Sequence, residues 1–134
     1  MKHIHNKEVM YQQEEAKAAS LSKEELLKKA AEIHNGPADT YTTKTQLRRR
    51  NALLVLAAKA KANGVCQLCG TVLDFNDGTG KPYLEVHHII PLADDGPDEL
   101  NNMTALCPNC HRKMHVVCAD EDVTILQEKA RAYL

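Results

Sequence analysis

Two stretches of this chain decide its fold: Glu85-Val86-His87-His88-Ile89-Ile90-Pro91 and, beyond Asn102, Cys107-Pro108-Asn109-Cys110-His111. They place two adjacent histidines, an asparagine and a third histidine in order, with a Cys-x-x-Cys pair directly before the third histidine. A second such pair, Cys66 and Cys69, lies upstream. Packing alone rarely requires three clustered histidines and four paired thiols, whereas metal sites use these groups as ligands. The pattern therefore predicts two metal sites, one that stabilises the domain and one that performs chemistry.

The composition predicts a small domain with a thin apolar core. The chain has 134 residues, and its 43% hydrophobic content includes only 4% aromatic residues, with one Phe and no Trp. A structural metal would supply the stability that so small a core lacks. The sequence has neither a run of about 18 apolar residues nor an apolar N-terminal signal region. We therefore expect no membrane association and a cytoplasmic location.

The basic residues are concentrated in one segment, although the formal net charge is only -1. Residues 44–61 carry six lysines and arginines and no acid, whereas residues 66–115 carry three basic residues against seven acids. Contacts with nucleic-acid phosphates require clustered basic side chains, although a solvated helix face would have the same composition. The candidate nucleic-acid-binding residues are Arg48, Arg49, Arg50, Lys59, Lys61, Arg112 and Lys113.

Capping and periodicity signals predict helices on both sides of a short hairpin. Ser22 and Glu25 form a capping box, Thr43 repeats the same signal, and Asn63 with the following glycine ends the second helix. The expected elements are helices over 6–19, 23–34, 44–62, 108–117 and 122–133, and strands over 83–90 and 103–106. This mixture of helices around one hairpin predicts the α+β fold class.

The two Cys-x-x-Cys pairs predict one closed zinc site. Each pair can form a knuckle that presents two thiolates, so Cys66, Cys69, Cys107 and Cys110 together complete a tetrahedral four-cysteine site. Such a site would join the end of the basic helix to the start of the helix over 108–117. Cys118 is left over and is interpreted as an ordinary thiol.

The histidines predict a second, open metal site. Because a strand alternates its faces, Glu85 and His87 point to one side of the sheet. His111 and His115 are four residues apart and share one face of their helix. A hairpin packed on that helix would bring His87, His111 and His115 around one cation.

The alternation of the strand also places His88 on the opposite side from His87, as a free imidazole beside the metal. A neutral imidazole can take a proton from an attacking water while a metal neutralises a phosphate oxygen. Asn102 ends the long loop, and its amide can fix that loop through backbone hydrogen bonds and so aim His88. This arrangement suits the cleavage of a phosphodiester bond.

The sequence from Leu84 to His115 resembles the HNH endonucleases, also called His-Me finger nucleases, over about residues 47–116. It is most similar to the branch found in methylcytosine-dependent restriction endonucleases. The resemblance implies a ββα-metal fold, with His88 as general base, His87 and His111 as metal ligands and Asn102 as the central asparagine. The pair His111 and His115 also resembles the His-x-x-x-His of colicin-type DNases, in which both histidines bind the metal.

One departure from that family concerns the metal. Many HNH proteins have Asp where this chain has His87, and a neutral ligand set favours Zn²⁺, Ni²⁺ or Mn²⁺ relative to Mg²⁺. Glu85 is either an additional carboxylate that reaches the metal directly or through water, or an acid in a salt bridge or on the surface. His115 is either a ligand or a partly exposed helix residue.

These observations predict three parts: a helical arm over 1–43, the basic helix with the zinc-stapled nuclease module over 44–118, and a final helix over 119–134. We expect a metal-dependent DNA endonuclease of a restriction or phage context that contacts mainly the DNA backbone. Cutting both strands needs two active sites, which makes a homodimer through the N-terminal helices a candidate assembly, as is a larger defence or phage complex.

Two other functions fit parts of the same pattern. A non-catalytic zinc-ribbon adaptor that binds nucleic acid or protein would need the four cysteines but would have no use for His88 beside an open metal site. A secreted DNase toxin would share the catalytic residues, but we expect an export signal in such a protein.

Overall fold

The structure, a computed structural model, describes residues 20–33 and 44–132, and of residues 44–50 only the backbone. The elements, in chain order, are α1 (Lys23–Ala31), α2 (Lys44–Ala62), β1 (Glu85–His88), β2 (Met103–Leu106), α3 (Pro108–Val116) and α4 (Asp120–Arg131). Within this part of the chain, four helices and one two-stranded sheet confirm the expected small α+β fold. The expected helix over 6–19 and the Thr43 cap lie outside the described residues.

The first two helices pack against each other. The Ser22 hydroxyl accepts a hydrogen bond from the Glu25 backbone N–H at 3.2 Å, which confirms the expected N-cap of α1. The helix ends at Ala31, three residues earlier than the predicted end. Buried apolar side chains of both helices form a shared cluster that also contains residues next to and within β2: Leu26, Leu27, Ala30, Leu54, Ala57, Ala58, Leu100 and Met103.

The end of α2 fixes where the first cysteine pair begins. Asn63 and Gly64 both have positive φ angles, 53° and 80°, which stop the helix and reverse the chain. The Val65 backbone N–H still bonds to the Ala62 carbonyl at 3.1 Å, so Cys66 follows the helix with little slack. This confirms the predicted end of the second helix.

The sheet is a short antiparallel hairpin in which Glu85 pairs with Leu106 and His87 pairs with Thr104. The first strand is shorter than predicted, because β1 covers four residues instead of the eight over 83–90. Cross-strand partners share a face, so His87 and Thr104 lie on the same side of the sheet. The predicted return strand has the expected bounds, Met103–Leu106.

The loop between the strands is more ordered than the sequence suggests. It contains 3-10 turns at Leu92–Asp94 and Leu100–Asn102, and Asp95 caps the first of them with a φ of 62°. Gly96 is buried there, and a Cβ atom at this position would lie 1.9 Å from the Ile90 carbonyl oxygen. Only glycine therefore allows the loop to close against the end of β1.

The last two helices cover the module from the other side. Cys107 is the N-cap residue of α3 and Pro108 is its first residue, a position where a missing N–H costs nothing. The backbone leaves the helical conformation at Cys118, whose φ is 48°. The next helix, α4, begins at Asp120, two residues earlier than predicted. Acidic residues fill the first turn of α4, which the helix dipole favours. The side chains of Leu126 and Ala130 are buried against the module, while the last residues of the predicted helix lie outside the described residues.

No helix in residues 20–33 or 44–132 combines the length and the apolar character needed to cross a membrane.

Candidate metal centres and active site

The four paired cysteines converge as predicted. One sulfur from each of Cys66, Cys69, Cys107 and Cys110 lies within 4.8 Å of all the others. The Cys69 and Cys107 sulfurs are 3.8 Å apart, and two thiolates bound at about 2.3 Å to a tetrahedral zinc would be about 3.8 Å apart. Spacing and donor type both fit a closed site, so this cluster could bind zinc.

Backbone and side-chain hydrogen bonds hold the first knuckle against the sheet. The Cys66 N–H donates to the Thr71 carbonyl and the Gly70 N–H donates to the Cys66 carbonyl, each at 2.9 Å. Gln67 pairs with Ala105 of β2 twice, because its N–H donates to the Ala105 carbonyl and its Oε1 accepts from the Ala105 N–H. The knuckle therefore continues the sheet edge and cannot move independently of it.

The four thiols differ in their acidity without a metal. Burial raises the pKa of Cys107 and Cys110, whereas the hydroxyl of Thr71 beside the exposed Cys69 lowers the pKa of that thiol to about 6. The Cys110 N–H also points at the Cys107 sulfur, at 3.4 Å. A cation with double charge would displace the remaining protons and favour thiolates at all four positions.

The three histidines expected around a second cation also meet. Ring nitrogens of His87, His111 and His115 lie within 4.8 Å of one another, and the centres of the rings are between 4.8 and 5.4 Å apart. The Nε2 atoms of His111 and His115 are 3.1 Å apart. Two nitrogens bound to one tetrahedral zinc would be about 3.3 Å apart, so the pair needs almost no rearrangement to hold an ion.

His87 gives the clearest sign of a metal ligand. It is 4% exposed, and both of its ring nitrogens are buried with no hydrogen-bond partner within the described residues. An orphaned buried imidazole is costly unless something binds it. Burial, aided by the nearby His111, His115 and His88, lowers the pKa of His87 to about 4, which keeps its ring neutral and able to donate a lone pair. The residues therefore fit a divalent metal.

Glu85 takes the second of the two roles that the sequence left open. Its Oε1 lies 2.8 Å from His111 Nδ1 and its Oε2 accepts a hydrogen bond from the Tyr83 hydroxyl at 2.8 Å. Both oxygens thus have protein partners, so Glu85 is paired within the protein and is not one of the three clustered donors. The hydrogen bonds from His111 and Tyr83 hold the pKa of Glu85 below its usual range.

His88 is not the free imidazole that the sequence suggested. Its Nε2 lies 2.8 Å from Asp98 Oδ1, and both side chains are partly buried. Because an ionised carboxylate only accepts hydrogen bonds, Nε2 is the donor in this pair. Asp98 is not among the predicted site residues, because the loop over 91–102 contains several acids and their spacing does not single out one of them.

Asn102 fixes the loop that carries Asp98. Its Oδ1 accepts from the Ile90 N–H at 2.9 Å, and its Nδ2 donates to the carbonyls of Ile90 and Pro97 at 3.0 and 2.9 Å. The side chain is 5% exposed and makes all these bonds to backbone atoms. These bonds tie the start of the loop to its end, which is the loop-fixing geometry expected of Asn102.

The predicted nucleic-acid-binding residues differ in whether their charged groups already have partners within the protein. The Lys61 ammonium donates to the Ala130 carbonyl, Lys113 lies 3.3 Å from Asp122, and Lys59 lies 4.0 Å from Asp77. Arg112 is exposed on α3, next to His111. Arg48, Arg49 and Arg50 lie on α2, but their side chains are outside the described residues.

Comparison with known families identifies the module. Residues 66–116 match the model of the HNH endonuclease family, so this segment is an HNH domain. The match contains both cysteine pairs, the three clustered histidines, His88 and Asn102.

Individual relatives cover small parts of longer proteins. Over 55 residues, the chain is 51% identical to the type IV methyl-directed restriction enzyme EcoKMcrA of Escherichia coli K12. The matched segment is 41% of this chain and 20% of that enzyme. Over 29 residues, the chain is 48% identical to anaredoxin of a Nostoc species, and this segment is 22% of the chain and 38% of that protein. The solved structure of the type IV phosphorothioation-dependent restriction endonuclease ScoMcrA matches 91% of this chain and 22% of its own, with 27% identity and a TM-score of 0.49. The chain therefore spans about a fifth of the length of these restriction enzymes.

Proposed function

We propose that this chain is a metal-dependent endonuclease that hydrolyses phosphodiester bonds in DNA. The observation that carries the proposal is the buried ring of His87, whose nitrogens have no hydrogen-bond partner within residues 20–33 and 44–132, next to His111 and His115. The adjacent strand residue, His88, is paired with Asp98. A zinc-binding module that only builds structure needs neither the second metal site nor an oriented imidazole beside it.

His87, His111 and His115 would hold a divalent metal, which when bound stabilises negative charge on a phosphate and on the departing oxygen. The three ligands are neutral imidazoles, so the site favours Zn²⁺, Ni²⁺ or Mn²⁺ over Mg²⁺. The four cysteines would hold a separate structural Zn²⁺ that joins the first knuckle to the start of α3.

His88 would act as the general base. Asp98 holds the proton of this ring on Nε2, which leaves the Nδ1 lone pair to accept a proton from the attacking water. Asp98 also stabilises the imidazolium that forms when the proton has moved. Asn102 keeps the loop closed, so that Asp98 stays within hydrogen-bonding distance of His88.

DNA would be held mainly through its phosphates. Arg112 lies next to the metal ligands and is the described cation best placed for this contact, with Arg48, Arg49 and Arg50 of α2 as additional contacts. Such contacts carry little sequence information. The similarity to EcoKMcrA favours a role in restriction of DNA, with recognition by a homodimer, a partner or a larger complex.

We propose that residues 1–43 form a helical arm, residues 44–118 the basic helix and nuclease module, and residues 119–134 the final helix, in a cytoplasmic protein. The proposal is supported by the packing of α1 on α2, through which Leu26, Leu27 and Ala30 contribute to the buried cluster next to β2.

The test is plasmid nicking by the purified, zinc-loaded chain with added Mg²⁺, Mn²⁺, Ni²⁺ or Zn²⁺, compared with EDTA. His88→Ala should lose about 100-fold or more in rate, since general-base catalysis contributes about 10²–10⁴-fold. Comparing unmodified with cytosine-methylated plasmid examines the restriction relationship. Folded wild-type protein that cuts neither plasmid with any metal would overturn the proposal and favour the zinc-ribbon adaptor.

A further inference from the structure

We propose that Tyr83 and Glu85 are positioning residues that hold His111 with its Nε2 atom toward the metal and thereby set the affinity of the three-histidine site. This inference rests on the proposed metal-binding role of His87, His111 and His115. It concerns how the site is tuned, and it excludes Glu85 as a direct ligand.

The hydrogen bonds define the tautomer of His111. A carboxylate has no proton to donate, so the 2.8 Å contact between Glu85 Oε1 and His111 Nδ1 requires the proton to be on Nδ1. The lone pair of the neutral ring is then on Nε2, the atom that lies 3.1 Å from His115 Nε2. Without Glu85, the proton could occupy either nitrogen, and only one of the two tautomers would present a lone pair on Nε2.

Tyr83 fixes the carboxylate in turn. Its hydroxyl donates to Glu85 Oε2 at 2.8 Å, so the two oxygens of Glu85 are each committed to a different partner. The Tyr83 ring stacks on Phe75 with centres 5.2 Å apart and planes at 24°, and the Tyr83 N–H donates to the Phe75 carbonyl at 3.0 Å. The chain of contacts therefore runs from the turn before β1 to the metal ligand on α3.

This arrangement has a chemical consequence for the ion. A carboxylate behind a histidine raises the basicity of the coordinating nitrogen and restricts the rotation of its ring, and removing such a partner typically weakens metal binding about 10–100-fold. The negative charge of Glu85 acts on the ion through the His111 ring, and the three proposed ligands are all neutral imidazoles. The site thereby gains affinity without the oxygen ligand that would favour Mg²⁺.

The experiment titrates Co²⁺ into the full chain whose four-cysteine site already holds Zn²⁺, and follows binding by calorimetry and visible absorption. Glu85→Ala should weaken Co²⁺ binding about 10–100-fold, Glu85→Gln should weaken it less, because Gln still offers an acceptor, and Tyr83→Phe should weaken it about threefold. Glu128→Ala, which removes an exposed carboxylate from α4, is the matched control and should leave the affinity unchanged.

A second measurement separates positioning from simple structural damage. Long-range ¹H–¹⁵N spectra of the imidazoles should show His111 protonated on Nδ1 in the wild-type chain before Co²⁺ is added, and a mixture of tautomers in Glu85→Ala. Unchanged Co²⁺ affinity in Glu85→Ala would overturn the inference. So would equal, complete loss of binding in Glu85→Ala and Glu85→Gln with an unaltered His111 tautomer, because that result identifies Glu85 as a ligand.

The outcomes also separate this inference from the nuclease proposal. If the wild-type chain binds Co²⁺ through His87 and Glu85→Ala weakens that binding, but no DNA is cut, the inference stands and the nuclease proposal fails. If DNA is cut and His87→Ala weakens Co²⁺ binding, but Glu85→Ala leaves it unchanged, the inference fails by itself.

Discussion

Asp98 Oδ1 lies 2.8 Å from His88 Nε2, so a residue of the loop between the strands orients the imidazole at the end of β1. The two residues are ten positions apart in the sequence, and the contact exists only because the loop folds back on the strand. The loop closes through Asn102 and through the close approach of Gly96 to Ile90. The geometry of the proposed base therefore depends on residues that do not touch the substrate.

We expect Asp98→Asn to reduce the rate of plasmid nicking about 100-fold or more while leaving the fold intact. An amide can donate a hydrogen bond to His88 and so favour the wrong tautomer, and it no longer stabilises the imidazolium. The control is Asp95→Asn, an exposed acid of the same loop whose φ of 62° asparagine tolerates. Equal activity in Asp98→Asn and Asp95→Asn would contradict a role for Asp98.

We expect Asn102→Ala to destabilise the zinc-loaded protein by about 3 kcal/mol in denaturant unfolding. The change removes three hydrogen bonds and leaves partly buried backbone groups of Ile90 and Pro97 without the partner that Asn102 provides. Asn101→Ala changes the exposed neighbour and should cost less than about 0.5 kcal/mol. A loss of activity in Asn102→Ala without any loss of stability would argue for a direct chemical role instead.

Gly96→Ala should both lower stability, by about 3 kcal/mol, and reduce nicking, because the added Cβ would overlap the Ile90 carbonyl and push the loop away from His88. Thermal melting and the nicking rate provide the two readouts. Gly78→Ala is the matched control, since a Cβ at Gly78 meets nothing within 4 Å. Similar melting temperatures for the two variants would show that the loop closes less tightly than the structure indicates.

The pH dependence of stability should differ between the metal-free and the zinc-loaded protein. The metal-free protein should lose stability as the pH rises, and the zinc-loaded protein should lose it as the pH falls. Burial raises the pKa of Cys107 and Cys110 above the ordinary value of 9.0, so the metal-free fold keeps these thiols protonated. Stability that is present below about pH 9 is then lost as the pH rises, because the unfolded chain releases these protons first.

The zinc-loaded form should instead lose metal and stability as the pH falls, since protons compete with the ion for thiolates. Unfolding curves between pH 5 and pH 10, with zinc and with a chelator, measure both trends, and Cys118→Ser should follow the wild-type curves. A chelator with no effect on stability at pH 7 would contradict a structural role for the site.

Substitutions at Lys61 and Arg112 should have different effects, the first on stability and the second on DNA affinity. Lys61→Met removes the hydrogen bond to Ala130 near the end of α4 and should cost about 1 kcal/mol of stability, with an unchanged salt dependence of DNA affinity. Arg112→Ala should leave stability unchanged and lower the slope of log affinity against log salt by about one. The opposite assignment of effects would restore Lys61 as the phosphate contact.

The elements of the fold followed from local signals in the sequence. The Ser22 cap, the Asn63-Gly64 stop and the bounds of β2 were all predictable, because backbone propensity and capping act between near neighbours. The two ligand clusters were also predictable, since Cys-x-x-Cys knuckles and the four-residue spacing of His111 and His115 bring donors together within single elements.

The sequence by itself thus determined the α+β elements, the two sets of metal-binding side chains and the identity of the residue on each face of β1. Only the tertiary structure decided the partners of those side chains: Asp98 for His88, Glu85 and Tyr83 for His111, and Ala130 for Lys61. The physical reason is that a hydrogen bond of 2.8 Å depends on how separate elements and loops pack, and sequence spacing constrains geometry only within one element.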